Sequence, residues 1–444
     1  PPAVSSAANS SDSPNRKAHR KQKHALRNTI KSALAPSWSK PPLNSLRNTL
    51  KTKNSKSPQN VSSMRILLLG EFSNVHATLA LGLRKLGHDV VVASDGDEWK
   101  NYPRDIDLHR PSLKKWDSLR YFLRLNRQFK DFKGFDIVQL INPIFVPLKA
   151  ERNQSFFHFL RKHNRKIVLG AFGMDSYYIK GCLDGKTFRY SDFAIGKNQR
   201  YSVENQQFIQ DWILGEKFKL HEFVVQNSDA VVAGLMEYYA AYQAHFRQKE
   251  RLHFIPFPIQ ISEETKQETQ RGKKLRFFVG IQRSRAVYKG VDVLLPVLKE
   301  VQKTHPDLCE IDCVENLPFE EYKRRLSGAD VIVDQLYSYT PAMNALEAMS
   351  QGIVPISGGE PESYELLNEN QLRPIINAIP GKENELFQTL CHLVTHADEE
   401  LPKLKQQCRD YIRKHHDYEK IAAAYEQLYL SLLSEESTLC SPKP

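Results

Sequence analysis

A chain of 444 residues exceeds what one ordinary hydrophobic core supports, and 41% apolar content with 10% aromatics excludes a wholly disordered chain. The formal charge is +12, but twelve Lys/Arg and one acid, Asp12, fall in residues 1–63, so +11 of it sits there and the body, at +1, is near neutral. No apolar run approaches the ~20 residues of a membrane span, and six cysteines in this length make no disulfide framework.

Residues 1–63 are rich in Ser, Pro, Asn and Lys and poor in β-branched and aromatic residues. Such a stretch cannot bury enough apolar surface to offset its ordering entropy, so it reads as a disordered basic leader. Met64 stands directly before a strong strand and reads as the natural start of the compact body, which makes the leader a non-native extension. Only this segment speaks for nucleic acid, which is not expected as a partner.

From residue 64 the pattern alternates between strand and helix. RILLLG (65–70) is a continuous apolar run ending in Gly, as a buried parallel strand should be. The loop Glu71, Phe72, Ser73, Asn74 follows, then a helical pattern on Leu79, Leu83 and Leu86 closed by Gly87, then DVVVAS (89–94). Further strands are expected at DIVQLI (136–141), KIVLGAF (166–172), DAVVAGL (229–235) and HFIPFP (253–258), with helices over 113–133 and 199–226. These place one α/β domain at 64–259. Residues 260–274 are polar without periodicity and read as a linker. A second series, LRFFVG, CEIDCV, DVIVDQL, GIVPIS and RPIINA with intervening helices, gives a second α/β domain at 275–415, followed by a C-terminal helix and tail at 416–444. Two such sheets facing each other would direct the loops at their carboxyl ends into a shared cleft.

Those loops carry the chemistry. After LRFFVG come Arg283 and Lys289, with Lys289-Gly290 opening a helix. A planar guanidinium, a compact ammonium and a helix N-terminus together suit a diphosphate. In NALEAMSQGIVPI, Glu347 sits among small and apolar helix formers, where a carboxylate wants a partner such as a pair of sugar hydroxyls; the bland alternative is a surface acid. The loop Gly358, Gly359, Glu360 allows close backbone approach to a ligand.

In this order, in the second of two α/β halves, these segments resemble a GT-B glycosyltransferase of family 4, the retaining group of bacterial polysaccharide and lipopolysaccharide enzymes. The resemblance covers most of residues 64–433. It implies two Rossmann-like α/β domains facing across a cleft, with C-terminal helices. It implies that Arg283 and Lys289 hold the diphosphate of a UDP- or GDP-linked sugar, that Gly290 opens the helix beside it, that Glu347 binds the ribose and that Gly358, Gly359 and Glu360 lie beside the donor. The loop Glu71–Asn74 would face the acceptor and close on the diphosphate. The implied reaction is retaining, metal-independent and without a cofactor, a hexosyltransferase-like transfer to a glycan or lipid-linked acceptor, in the cytoplasm or peripherally at the inner membrane face.

Three positions depart from the family pattern. Tyr339 stands eight before Glu347, where the family has a second glutamate. DIVQLI ends at Asn142 rather than a His, and another His-like position reads Gly173-Met174-Asp175. Asp175, Asn142 and Tyr339 are therefore the catalytic candidates. A non-catalytic GT-B scaffold and a nucleotide-sugar epimerase on the same fold are the alternatives. Asp95-Gly96-Asp97 and Asp105-Ile106-Asp107 would suit a metal-dependent GT-A enzyme, but they lie early, in polar loops. The first loop lacks the three-glycine dinucleotide fingerprint. Cys309 and Cys313 lack the second pair of a zinc site, and His415-His416 read as surface residues. Residues 114–133 interleave seven Lys/Arg with Trp116, Leu119, Phe122 and Leu123, a composition that suits an anionic membrane or a helix covering the first sheet.

Overall fold

A computed structural model describes residues 63–112, 114–261 and 274–439. The leader (but for Ser63), residues 262–273 of the expected linker and the last five residues of the tail lie outside the described residues.

The first half contains β1 (Arg65–Leu69), β2 (Asp89–Ser94), β3 (Ile106–Asp107), β4 (Ile137–Leu140), β5 (Lys166–Ala171), β6 (Ala194–Ile195), β7 (Asn198–Gln199), β8 (Ala230–Ala233) and β9 (Leu252–Phe254). Seven of these form one parallel sheet in the order β3-β2-β1-β4-β5-β8-β9, while β6 and β7 pair antiparallel. Period-two geometry explains why β1 is apolar from Ile66 to Leu69. Ile66 and Leu68 enter one core and Leu67 and Leu69 the other, so neither face meets water. The second half contains β10 (Leu275–Ile281), β11 (Cys309–Glu315), β12 (Val331–Val333), β13 (Val354–Ser357) and β14 (Ile376–Asn377), all parallel, in the order β11-β10-β12-β13-β14.

Each sheet changes winding direction once. In the first half β1 lies between β2 and β4, and in the second β10 lies between β11 and β12. An open α/β sheet forms its crevice at that point, outside the strand carboxyl ends. The topology therefore selects the loops after β1, β4, β10 and β12 before any side chain is considered.

The helical pattern expected over 199–226 divides at Gly215 into Val203–Ile209, a π-turn at Gln210–Leu214 and Glu216–Asn227. Residues 382–433 divide into helices Glu383–Thr395, Ala397–His415 and Tyr418–Leu439. The last packs on the first half, against helix Val75–Lys85. Gly82 makes the approach possible, because a Cβ there would lie 2.5 Å from Ala422 Cβ and 2.7 Å from the Tyr418 carbonyl oxygen. Lys85 pairs with Glu419 at 2.7 Å, His88 with Glu426 at 3.0 Å, and the Tyr429 hydroxyl donates to Gln139 at 2.6 Å.

The chain thus crosses between the halves twice, and the crossings run side by side. The Ile259 amide donates to the His416 carbonyl at 2.7 Å and the Tyr418 amide to the Ile259 carbonyl at 3.2 Å. This corrects the reading of His415 and His416 as surface residues. His416 is buried and donates from Nδ1 to the Phe257 carbonyl at 2.9 Å, while His415 Nε2 lies 2.6 Å from Glu369. Burial holds the His416 imidazole down at about 4, so it is neutral there. RKHHDY has no apolar periodicity, and only the tertiary crossing buries it.

Candidate functional site

The loop after β10 makes a short helix, Ala286–Lys289, and Gly290, at a φ of 77°, turns the chain into helix Val291–Thr304. Lys289 therefore ends one helix rather than opening the next, and Gly290 is required for its left-handed backbone. The Lys289 ammonium lies 3.4 Å from Asp334, directly after β12, and the Asp334 carboxylate in turn accepts from the Ser357 hydroxyl at 3.1 Å. Arg283 is largely exposed and pairs with Glu315 at the end of β11. Both cations stand on the carboxyl rim of the second sheet, with Lys289 at the winding reversal.

Glu347 lies in helix Met343–Ser350, which follows the loop after β12. Its carboxyl is pushed up to about 7 by burial, against the pull of Lys100 from the first half and Lys323 from the second. No hydrogen bond from the described residues supports its charge. Glu347 and Lys100 bring the halves' loops together here, and beside them the Tyr102 and Phe319 rings meet edge-on with centroids 5.6 Å apart.

Gly358, Gly359 and Glu360 follow β13. The Gly359 amide donates to Asn377 at 2.8 Å, and a Cβ on Gly358 would lie 2.2 Å from the Ser338 carbonyl oxygen. The Glu360 carboxylate is already committed. It accepts from the Tyr190 hydroxyl at 2.7 Å and from Asn377 at 3.0 Å, and it pairs with Arg189, which also pairs with Glu362.

The three catalytic candidates are each tied into structure. Asp175 caps helix Ser176–Leu183, accepting from the Tyr178 amide at 2.9 Å and from the Tyr242 hydroxyl at 2.8 Å. It is fully buried, which raises its carboxyl to about 6. Asn142 donates to the Met174 carbonyl at 3.2 Å and accepts from the Ile144 amide at 3.1 Å. The Tyr339 hydroxyl accepts from the Arg189 amide at 2.6 Å, and its ring packs on Tyr190 at 4.9 Å and Phe188 at 5.5 Å. The structure does not bring the three together on one exposed surface.

The loop Glu71–Asn74 holds a further surprise. The Glu71 carboxylate accepts from the amides of His76 and Ala77 at 3.2 and 2.9 Å, so the protein's own acid takes up first-turn donors that a phosphate would need. Burial raises Glu71 to about 8, with Asp97 adding to the rise. Phe72 packs against Gly173, and Ser73 and Asn74 are left-handed at φ 51° and 69°. The Ser73 amide donates to Asp97 at 2.8 Å, and Asp97 pairs with Lys100 at 2.6 Å. Asp97 thus braces this loop.

No family model matches the chain, and no curated protein does. Solved structures do. Sucrose-phosphate synthase from Thermosynechococcus elongatus aligns with a TM-score of 0.55 at 14% identity, over 84% of this chain and all of that one. A glycosyltransferase from Rickettsia africae aligns at 0.50 and 12% identity, over 84% of this chain and 99% of that one. Anabaena Alr3699/HepE in complex with UDP and glucose aligns at 0.51 and 12% identity, over 83% of this chain and all of that one. This chain has the GT-B glycosyltransferase fold. Lys100 and Tyr102 of the first half face Glu347 of the second, and Lys289 stands at the winding reversal of that half's sheet.

The residues that sequence reasoning passed over are those of the first half that touch the second. They are Lys100, Tyr102, Arg189, Tyr190, Arg200 and Glu237. Glu237, buried in helix Met236–His245, accepts from the amides of Tyr339 and Thr340 at 2.7 and 2.9 Å and from the Thr340 hydroxyl at 2.6 Å. Their one sequence signal is position, since most follow a strand of the first sheet within a few residues or lie between two helices.

Proposed function

We propose that this protein is a retaining, metal-independent glycosyltransferase that moves a sugar from a UDP- or GDP-linked donor to a glycan or lipid-linked acceptor. The observation that carries it is a largely buried Glu347 carboxyl that no hydrogen bond from the described residues supports, faced by Lys100 of the first half, in the half whose winding reversal carries the Lys289 ammonium held by Asp334. In this reading Lys289 and Arg283 take the donor diphosphate, exchanging their pairing with Asp334 and Glu315 for phosphate oxygens, and Glu347 accepts the ribose hydroxyls. Transfer requires the sugar–phosphate bond to break while positive charge grows at the anomeric carbon. Once moved onto the phosphate oxygens, the two cations stabilise the departing diphosphate, and one departing oxygen takes the acceptor's proton on the same face, which gives retention. The fold supports the reading, and so does the UDP and glucose in the Alr3699/HepE complex. A thermal-shift screen of UDP-, GDP-, ADP- and CMP-sugars tests it. One family of donors should raise the melting temperature as its concentration passes Kd. No shift with any of them would refute the donor site.

A non-catalytic nucleotide-binding protein is the second reading. The observation in its favour is that Asp175, Asn142 and Tyr339 are all occupied by structural hydrogen bonds. Nucleotide binding with no sugar released to any acceptor or to water would place the protein there.

A lipid-linked acceptor would require the enzyme to work at a membrane surface, at the inner face. Helix Lys115–Gln128 buries Tyr121 and Leu125 and leaves Trp116 76%, Leu119 47% and Leu123 49% exposed beside Lys115, Arg120 and Arg127. An apolar ridge with a cationic rim is the geometry of an interfacial helix. Anionic vesicles should sediment the full chain, and replacing Trp116, Leu119 and Leu123 by Ser should abolish the salt-resistant part of that binding. Equal salt-resistant binding by the variant would exclude this helix.

A further inference from the structure

Residues 186–200 belong to the first half in sequence but meet three strand-end loops of the second. Asp184 fixes the start of this segment by accepting from the amides of Lys186 and Thr187 at 2.7 and 2.8 Å, and the β6–β7 hairpin folds its far end back. On the loop after β10, the Arg200 guanidinium donates to the Val287 carbonyl at 2.8 Å, and the Tyr288 hydroxyl donates to Asp192 at 2.8 Å. On the loop after β12, Arg200 lies 3.2 Å over the Tyr337 ring, and Tyr190 and Phe188 cover Tyr339. On the loop after β13, Arg189 pairs with Glu360 and Glu362, and Tyr190 donates to Glu360.

These are the loops the donor-site reading assigns to the diphosphate and the sugar, and on that reading the inference rests. Two properties of the contacts matter. They are made between protein groups that satisfy one another: two carboxylates face one fork, a phenol accepts from an amide, and a buried Asp192 receives two hydroxyls, from Tyr178 at 2.7 Å and from Tyr288. No additional group is needed to complete them. They also reach loops separated by some 70 residues of sequence, so releasing the segment would loosen all three at once, leaving the loop after β12 its bonds to Glu237.

We propose that residues 186–200 form a latch that holds the two halves closed over the donor loops independently of the donor, with Arg189 and Arg200 as its positioning residues. Neither residue does chemistry. They set the fraction of molecules in which Lys289 and Glu347 already face the first half. A ligand that binds only that form shows an apparent Kd equal to the intrinsic value divided by the closed fraction.

Small-angle X-ray scattering of the full chain with and without UDP, paired with calorimetric titration of UDP, tests this. Wild type should scatter identically in both conditions. The variant Arg189→Ala/Arg200→Ala should be more extended without UDP and contract on adding it. If the closed fraction falls to about a tenth, UDP binds about tenfold more weakly. For any donor found by screening, KM should rise in that proportion while kcat is retained, a split that general loss of structure would not give. Arg189→Lys, which keeps the charge but loses the fork, should lie between the two. Contraction of wild type on UDP would overturn the latch, as would a double variant that scatters and binds UDP like wild type. If no nucleotide binds either protein, the donor-site reading fails. The scattering of the two unliganded proteins still decides the latch, since equal dimensions would refute it.

Discussion

The carboxyl of Glu347 offers the most direct test of the donor site, because its environment makes a quantitative statement about protons. Burial raises it from 4.5 to about 7. A rise of that size corresponds to about 3 kcal/mol of unfavourable ionisation, trimmed to ~2 by the part of the group that meets solvent. The folded pKa is the higher one. The group therefore favours folding fully below 4.5 and loses that contribution as pH rises through 7. Glu347→Gln, permanently neutral, should match wild type in stability at pH 4 and exceed it by ~2 kcal/mol at pH 8. Ribose hydroxyls would donate to the ionised carboxylate and bind that form preferentially. The carboxylate is about one-tenth ionised at pH 6 and nine-tenths at pH 8, so UDP-glucose, whose own diphosphate does not titrate there, should bind about tenfold more tightly at pH 8. At pH 7 about half a proton should leave per ligand bound, read by calorimetry in two buffers of different ionisation heat. Glu347→Gln should show neither effect. Wild-type binding that releases no proton, or a pH dependence that survives in the variant, would refute the assignment of Glu347 to the ribose.

Arg283→Ala should lower transfer by ~10²–10³ while leaving the melting temperature unchanged, since the side chain is largely exposed; wild-type turnover in that variant would remove Arg283 from the site. Asp175→Ala should cost about 1–3 kcal/mol in chemical denaturation, because a helix cap is lost and the buried Tyr242 hydroxyl loses its acceptor, and the folded variant should keep its nucleotide affinity. Gly82→Val should destabilise by about 1–3 kcal/mol by forcing a branched side chain into the Tyr418–Ala422 turn, and should raise protease cleavage of helix Tyr418–Leu439.

The strands of both halves were legible because continuous apolar runs between turn signals leave few alternatives, and β1 or β10 could hardly have been anything else. Three features were not. The β6–β7 hairpin has two residues per strand and no periodicity to detect. The helix pattern over 199–226 concealed a break at Gly215, because a π-turn keeps apolar residues in step across it. The roles of Asp175 and Asn142 depend on Tyr242 and on the Met174 carbonyl, partners fixed by tertiary packing and invisible to spacing. The places of Lys289 after β10 and of Glu347 in a helix after β12 were readable from the alternation of strand and helix. Arg189 was not, because its partners Glu360 and Glu362 lie more than 170 residues away.

The return of helix Tyr418–Leu439 to the first half has a consequence for biosynthesis. Gln139, His88 and Lys85 leave the ribosome some 290 to 340 residues before Tyr429, Glu426 and Glu419 arrive to meet them. The amino-terminal sheet is thus translated early but finished late, and its groove beside Gly82 stays uncovered while the whole second sheet is being made. Nascent chains stalled anywhere in that interval would present an apolar groove to chaperones, whereas release of the final helix would close it in a single step.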